Sequence, residues 1–187
     1  MKTTVWACLL IGFGLTAAGQ PAGQVQPVVV TQDNVFKFYK DFRRLTKAPE
    51  LLDSNFTDLC RPVVQPYEKA KAGLGPHYRA SVHYYANPAA AAALTQKQKS
   101  LPEGSVIVKT KQADNWHLEE PGKEPAVSGI GGMIKRKAGY DPVHGDWEYF
   151  YADATTPFTT GKLESCVACH TKAKAEDSLF RVRDLAE

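Results

Sequence analysis

The 187-residue sequence predicts an α+β fold, a mostly antiparallel β-sheet with flanking helices. Three observations lead there. Four runs rich in aromatic and β-branched residues follow one another at 78–86 (YRASVHYYA), 104–110 (GSVIVKT), 128–136 and 147–151 (WEYFY). Gly, Pro, Asn and Asp punctuate the gaps between them. Helical periodicity is confined to an early segment, an alanine-rich stretch after the first run, and the C-terminal end.

Taken in order, the chain opens with Lys2 and a largely apolar stretch over 5–18 that ends in Ala17, Ala18 and Gly19. That pattern predicts a secretory signal peptide over 1–19, cleaved near Ala18 or Gly19 and too short for a membrane span. Residues 20–32, with Gly, Pro and Gln, form a linker, and 33–187 form a single domain. Val35, Phe36, Phe38, Tyr39, Phe42 and Leu45 recur at helical spacing behind Asp33 as a cap, predicting an amphipathic helix bounded by Pro49. Residues 53–75 are mixed, with a short helix at 67–72. The first strand ends at Asn87-Pro88, where proline suits the first turn of a helix over 89–99. Residues 116–122 and 140–146 are loop and turn around the third and fourth strands, and a closing helix spans 163–174.

The closing helix carries Cys166-Val167-Ala168-Cys169-His170, a CxxCH pentapeptide. Two thiols three residues apart can add across the two vinyl groups of a haem, and the next histidine can then ligate the iron. The motif therefore predicts covalently bound haem c, with Cys166 and Cys169 as anchors and His170 as metal ligand. A thioredoxin-type CxxC requires a βαβ setting in a cytosolic chain. A zinc site requires further ligands at matched spacing, whereas Cys60, His77, His83, His117 and His144 are scattered. Export agrees with haem, because c-type attachment takes place outside the bacterial cytoplasm, and it predicts a periplasmic location. Cys60 is left as a small buried hydrophobe or a free thiol.

A formal charge of +3 with dispersed basic residues excludes a nucleic-acid stripe, and no later segment suits membrane insertion. The order of elements excludes two haem-c architectures. Small electron carriers place CxxCH near the N-terminus with a methionine after it, whereas Met133 precedes the motif here. Four-helix bundles lack successive β-patterned runs.

Tyr85-Ala86-Asn87-Pro88, then residues 102–109 (PEGSVIVK), 139–142 (GYDP), 145–150 (GDWEYF) and CxxCH followed by Lys172, Asp177 and Phe180 come in a particular order. In this order the segment 82–180 resembles the cytochrome P-460 family, including its cytochrome c′-beta relatives. The resemblance implies a five-coordinate haem on His170 with an open opposite face. It also implies two candidate site residues. Lys109 stands where cytochrome P-460, which oxidises hydroxylamine, links a lysine to the haem rim, giving it a catalytic and cofactor-binding role. Leu101 stands where the c′-beta branch, which binds nitric oxide or carbon monoxide, places an apolar cap. The family's distal carboxylate falls near Gly131, where no acid stands, and this departure weakens hydroxylamine oxidation, since proton transfer benefits from a positioned acid or base.

Strand alternation puts Ser105, Ile107 and Lys109 on one face of the second strand, so Lys109 can share a haem-facing side with Ile107; a snorkelling strand-end lysine is the alternative. His83 is either haem-facing or a hydrogen-bonded strand histidine, and Met133 is a candidate sixth ligand. Trp147, Tyr149 and Tyr151 share a face as packing residues. The expected function is binding or redox processing of small nitrogen species such as nitric oxide; hydroxylamine oxidation and simple electron transfer are the alternatives. Expected partners are a small gaseous or nitrogenous ligand and a redox-partner protein, with a homodimer as an allowed assembly.

Overall fold

The computed structural model describes residues 28–47, 49–51, 81–112, 126–180 and 182. The expected signal peptide, the mixed segment 53–75, the loop at 116–122, and Cys60, His77 and His117 lie outside these residues.

The described strands form one antiparallel sheet of seven members: β1 (Arg43–Arg44), β2 (Glu50–Leu51), β3 (Ser81–Ala86), β4 (Val106–Gln112), β5 (Val127–Lys135), β6 (Trp147–Asp153) and β7 (Thr159–Gly161). The order is β1-β3-β4-β5-β6-β7, and β2 also pairs with β3. The four long strands match the four β-patterned runs of the sequence. The short β1, β2 and β7 carry too few residues for a period-2 pattern to be read.

Both faces of the sheet are covered. Val82, Tyr84, Ala86, Ile107, Met133, Trp147 and Tyr149 build one core with Leu45, Leu101, Leu179 and Val182. Val106, Val108, Ile130, Ile134, Phe150 and Ala152 build a second core with Val30, Val35 and Tyr39. This double burial explains why Val106-Ile107-Val108 reads as a continuous apolar run instead of an alternation. Trp147 and Phe150, on opposite faces of β6, are 0 % and 1 % exposed, and each such side chain contributes on the order of 2 kcal/mol of burial free energy.

Helix α1 (Pro88–Thr95) starts where the sequence places it. Asn87 is its cap: the side-chain Oδ1 accepts from Ala90 N at 3.0 Å and from Val106 N at 3.0 Å, while Nδ2 donates to the Gly104 carbonyl at 2.8 Å. One buried amide thereby joins helix, strand and turn. Helix α2 (Glu164–His170) runs into a 3-10 helix (Thr171–Glu176) with non-helical backbone at Ala173.

The segment expected as an amphipathic helix from Asp33 differs. Residues 32–41 form a succession of turns, in which Val35 N–H reaches the Thr31 carbonyl at 2.9 Å while Lys40 N–H reaches only Lys37 at 3.1 Å. Asp33 does not cap it; Asn34 Oδ1 accepts from Thr31 N at 2.8 Å. The apolar periodicity is satisfied by packing Val35 and Tyr39 on the second core, with Phe38 edge-on to Phe150 at 5.7 Å, and this anchoring does not need an unbroken ladder.

Candidate haem site

The register places the predicted residues in two rows across the sheet. Tyr84, Lys109, Gly131 and Tyr151 are successive cross-strand partners, and Ala86, Ile107, Met133, Tyr149 and Gly161 form the row beside them. Strand pleating sends all of these to the face of the first core. Helix α2 packs on that face, with Leu163, Cys166 and Val167 against the core. Lys109, Leu101, Cys166, Cys169 and His170 are thus brought to one side of the molecule.

His170 is the most constrained member. Its Nδ1 lies 2.7 Å from the Ser178 carbonyl oxygen. A carbonyl can only accept, so Nδ1 carries the proton and Nε2 keeps its lone pair. The rings of Tyr149 and Phe180 flank the imidazole at centroid distances of 5.1 and 5.3 Å. Burial lowers the His170 pKa to about 4, the bond to Ser178 opposing this and the charge of Lys109 adding to it. The imidazole is therefore neutral at neutral pH, the form that ligates a metal.

Cys166 and Cys169, three apart on α2, are both half-buried and free of disulfide. Burial raises the Cys166 thiol, while a Ser165 hydrogen bond and the Lys109 charge pull it back. Lys109 is half-buried, and burial lowers its ammonium to about 8 against the opposing fields of Cys169 and Cys166. Charges on these three side chains act on one another, so Lys109 faces the CxxCH helix across the sheet surface.

Leu101 is 2 % exposed within the same core, and its N–H donates to Asp177 Oδ2 at 2.8 Å. Met133 is buried in that core between Ile107 and Tyr149. His83 turns to the opposite face, where its Nδ1 lies 2.8 Å from Thr46 Oγ1, so it is the hydrogen-bonded strand histidine. Lys135 and Arg136 are paired within the protein, with Asp177 and Glu148 at 2.6 Å each.

These residues fit a haem. The donor set is one neutral imidazole with a fixed tautomer and two thiols on a common helix. Opposite them, Gly131 carries no side chain and the Tyr151 ring lies across it, giving an aromatic surface beside Lys109. Among the described residues no three His, Cys, Asp or Glu side chains converge to hold a bare metal ion, which separates this arrangement from a zinc site.

The Cytochrome P460 family model matches residues 63–181. The chain belongs to the cytochrome P460 family. It is a cytochrome-type haem protein accordingly, and the CxxCH helix lies inside the matched region. No curated protein matches the chain.

The sequence places Tyr149 among the core or haem-wall packing residues but assigns no role to Ser178 or Phe180 around His170. Asp177 and Phe180 stand in the closing segment of the family resemblance, but their positions follow from a sharp turn after the 3-10 helix that no local pattern announces.

Proposed function

We propose that this protein is an exported monohaem c-type cytochrome that binds or redox-processes small nitrogen species such as nitric oxide. Cys166 and Cys169 hold the haem through thioether bonds and His170 ligates its iron. The observation that carries this reading is the 2.7 Å bond from His170 Nδ1 to Ser178. It presents Nε2 as a lone-pair donor beside two available thiols. Bound there, haem would supply one-electron redox chemistry and affinity for a small ligand.

The chain's own residues do the rest. Tyr149 and Phe180 restrict rotation of the imidazole. Leu101 and Ile107 contribute apolar surface to the same core, which disfavours water and charged ligands. A periplasmic redox partner exchanges electrons with the protein.

Lys109 favours a second reading, hydroxylamine oxidation with a lysine–haem link. An amine with a pKa of about 8 has an appreciable neutral, nucleophilic fraction at neutral pH, and it faces the two thiols. The absence of a carboxylate at Gly131 counts against this reading.

Expression with haem-maturation machinery tests both. Red protein whose haem stays on the Cys166–Cys169 peptide alone, and whose ferrous form binds nitric oxide, supports the first reading. Additional attachment at Lys109 with a red-displaced ferrous band selects the second. Colourless protein of the unmodified polypeptide mass overturns the haem assignment.

A further inference from the structure

We propose that Asp177 is the positioning residue of His170, fixing the carbonyl that sets the imidazole's direction and donor strength. The proposal rests on haem ligation by His170. Asp177 and Ser178 both lie in the left-handed region, at φ of 54° and 62°. Two successive non-glycine residues there cost roughly 1–2 kcal/mol each, so the surrounding contacts must hold the turn.

Those contacts converge on Asp177. Its Oδ1 meets Lys135 Nζ at 2.6 Å, and its Oδ2 accepts from Leu101 N at 2.8 Å. Its carbonyl accepts from Trp147 Nε1 at 3.0 Å. Lys135 in turn lies over the Trp147 ring, 4.7 Å from the centroid. Both partners of the ion pair are mostly buried, at 11 % and 8 % side-chain exposure. Breaking such a pair is costly, since it leaves a buried charge without its counterpart.

The clamp therefore ties one end of the turn to β5, β6 and the segment before β4. The next carbonyl along the chain, that of Ser178, receives the His170 proton. Ser178 is itself buried, and its N–H closes on the Ala173 carbonyl at 2.9 Å, which leaves the carbonyl little freedom. A strong Nδ1–H···O=C bond makes the imidazole a better donor and favours the more highly charged metal state. Loosening the turn weakens that bond and shifts the reduction potential upward.

The test uses the full-length, haem-loaded protein. Asp177→Asn removes the charge at nearly constant shape, and Asp177→Ala removes the clamp. Ile130→Val and Val108→Ala, in the second core, are the controls for general destabilisation. The midpoint potential and the ferrous absorption spectrum are read for each variant. The expected result is an upward shift in both Asp177 variants and none in controls of equal or greater loss in Tm. Where the Asp177 variants do not accumulate, Trp147→Phe removes the indole N–H to the Asp177 carbonyl together with part of the buried ring under Lys135, and gives the same direction of shift beyond that of controls with equal loss in Tm. Wild-type potential in folded, haem-bearing Asp177→Asn, an equal shift in the controls, or no shift in Trp147→Phe where that variant stands in, overturns the clamp. A His170→Ala variant with an unaltered spectrum overturns haem ligation by His170 instead.

Discussion

Tyr151 lies across Gly131. A β-carbon built on the glycine would sit 3.2 Å from ring Cδ2, and one built on Gly129 would sit 3.6 Å from the tyrosine hydroxyl. The ring thus crosses two glycines of β5 on the face shared with Lys109, and its hydroxyl donates to Asp153 Oδ2 at 2.6 Å. Gly132 points to the other face, where a β-carbon would run into the Phe150 ring and the Ile107 carbonyl. Gly131→Ala asks one ring to give by a few tenths of an ångström. Gly132→Ala must displace backbone or a fully buried aromatic. The expected losses are below about 1 kcal/mol for Gly131→Ala and roughly 1–3 kcal/mol for Gly132→Ala, read as urea midpoints.

Asn87→Ala should be among the most destabilising single changes outside the haem site. It removes a helix cap and leaves Val106 N and the Gly104 carbonyl without their side-chain partner in a buried corner. Cap loss contributes about 1 kcal/mol, and the buried backbone groups add roughly 1–3 kcal/mol. Urea denaturation measures the sum.

His83→Ala should lower stability without touching the haem spectrum. The histidine is 3 % exposed and bonded to Thr46 on the face away from α2, so truncation leaves the Thr46 hydroxyl with the Tyr84 N–H alone and opens buried space, at a cost of about 1–3 kcal/mol. An altered ferrous spectrum in this variant would place His83 at the iron and contradict the geometry.

The long strands and the site were legible in the sequence for different reasons. Tyr84, Val106, Phe150 and their neighbours belong to aromatic and β-branched runs of strand length, a local property that packing reinforces. Cys166, Cys169 and His170 are contiguous, so their chemistry survives without knowledge of the fold. The Ser178 carbonyl is the contrary case. A backbone acceptor has no sequence signature, and the left-handed pair that aims it is stabilised by Leu101, Lys135 and Trp147, all 30 or more positions away. The segment after Asp33 misled because the periodicity of Val35 and Tyr39 records which side is buried, and a chain of turns can bury the same side as a helix.

Glu148 predicts an acid-limb effect. Burial alone would raise its pKa, but hydrogen bonds from Arg136 and Thr160 and the Arg136 charge bring it below the ordinary 4.5. A carboxyl whose folded pKa lies below the unfolded value stabilises the fold above the unfolded pKa and loses that contribution as pH falls through the folded one. Wild type should exceed Glu148→Gln by about 1 kcal/mol at pH 7. The gap should close below pH 4.5, as followed by urea denaturation across the acid range.

Lys109 gives the sharpest test of the sheet face on which α2 packs. Burial lowers its ammonium from 10.5 to about 8, so about one-tenth of the amine is neutral at pH 7, on the order of a few hundred times the fraction of an ordinary lysine. The sign for stability follows. Below pH 8 both folded and unfolded forms carry the proton and the full cost of burying it. Between about 8 and 10.5 the folded form releases it first, so this residue's contribution to stability rises with pH across that window. In a chain with Cys166 and Cys169 changed to serine, which carries no haem, the difference between Lys109 and Lys109→Met should therefore move in favour of the lysine as pH increases from 8 to 10. In the haem-loaded protein the same nucleophilic amine leads to one of two outcomes by peptide mass. Lys109 is either found on the haem-bearing fragment, or acylated by limiting acetic anhydride ahead of the exposed Lys97 and Lys99. A Lys109 peptide that is neither linked nor preferentially acylated, with no pH-dependent gap to methionine, would mean that the ammonium reaches open water away from the CxxCH helix.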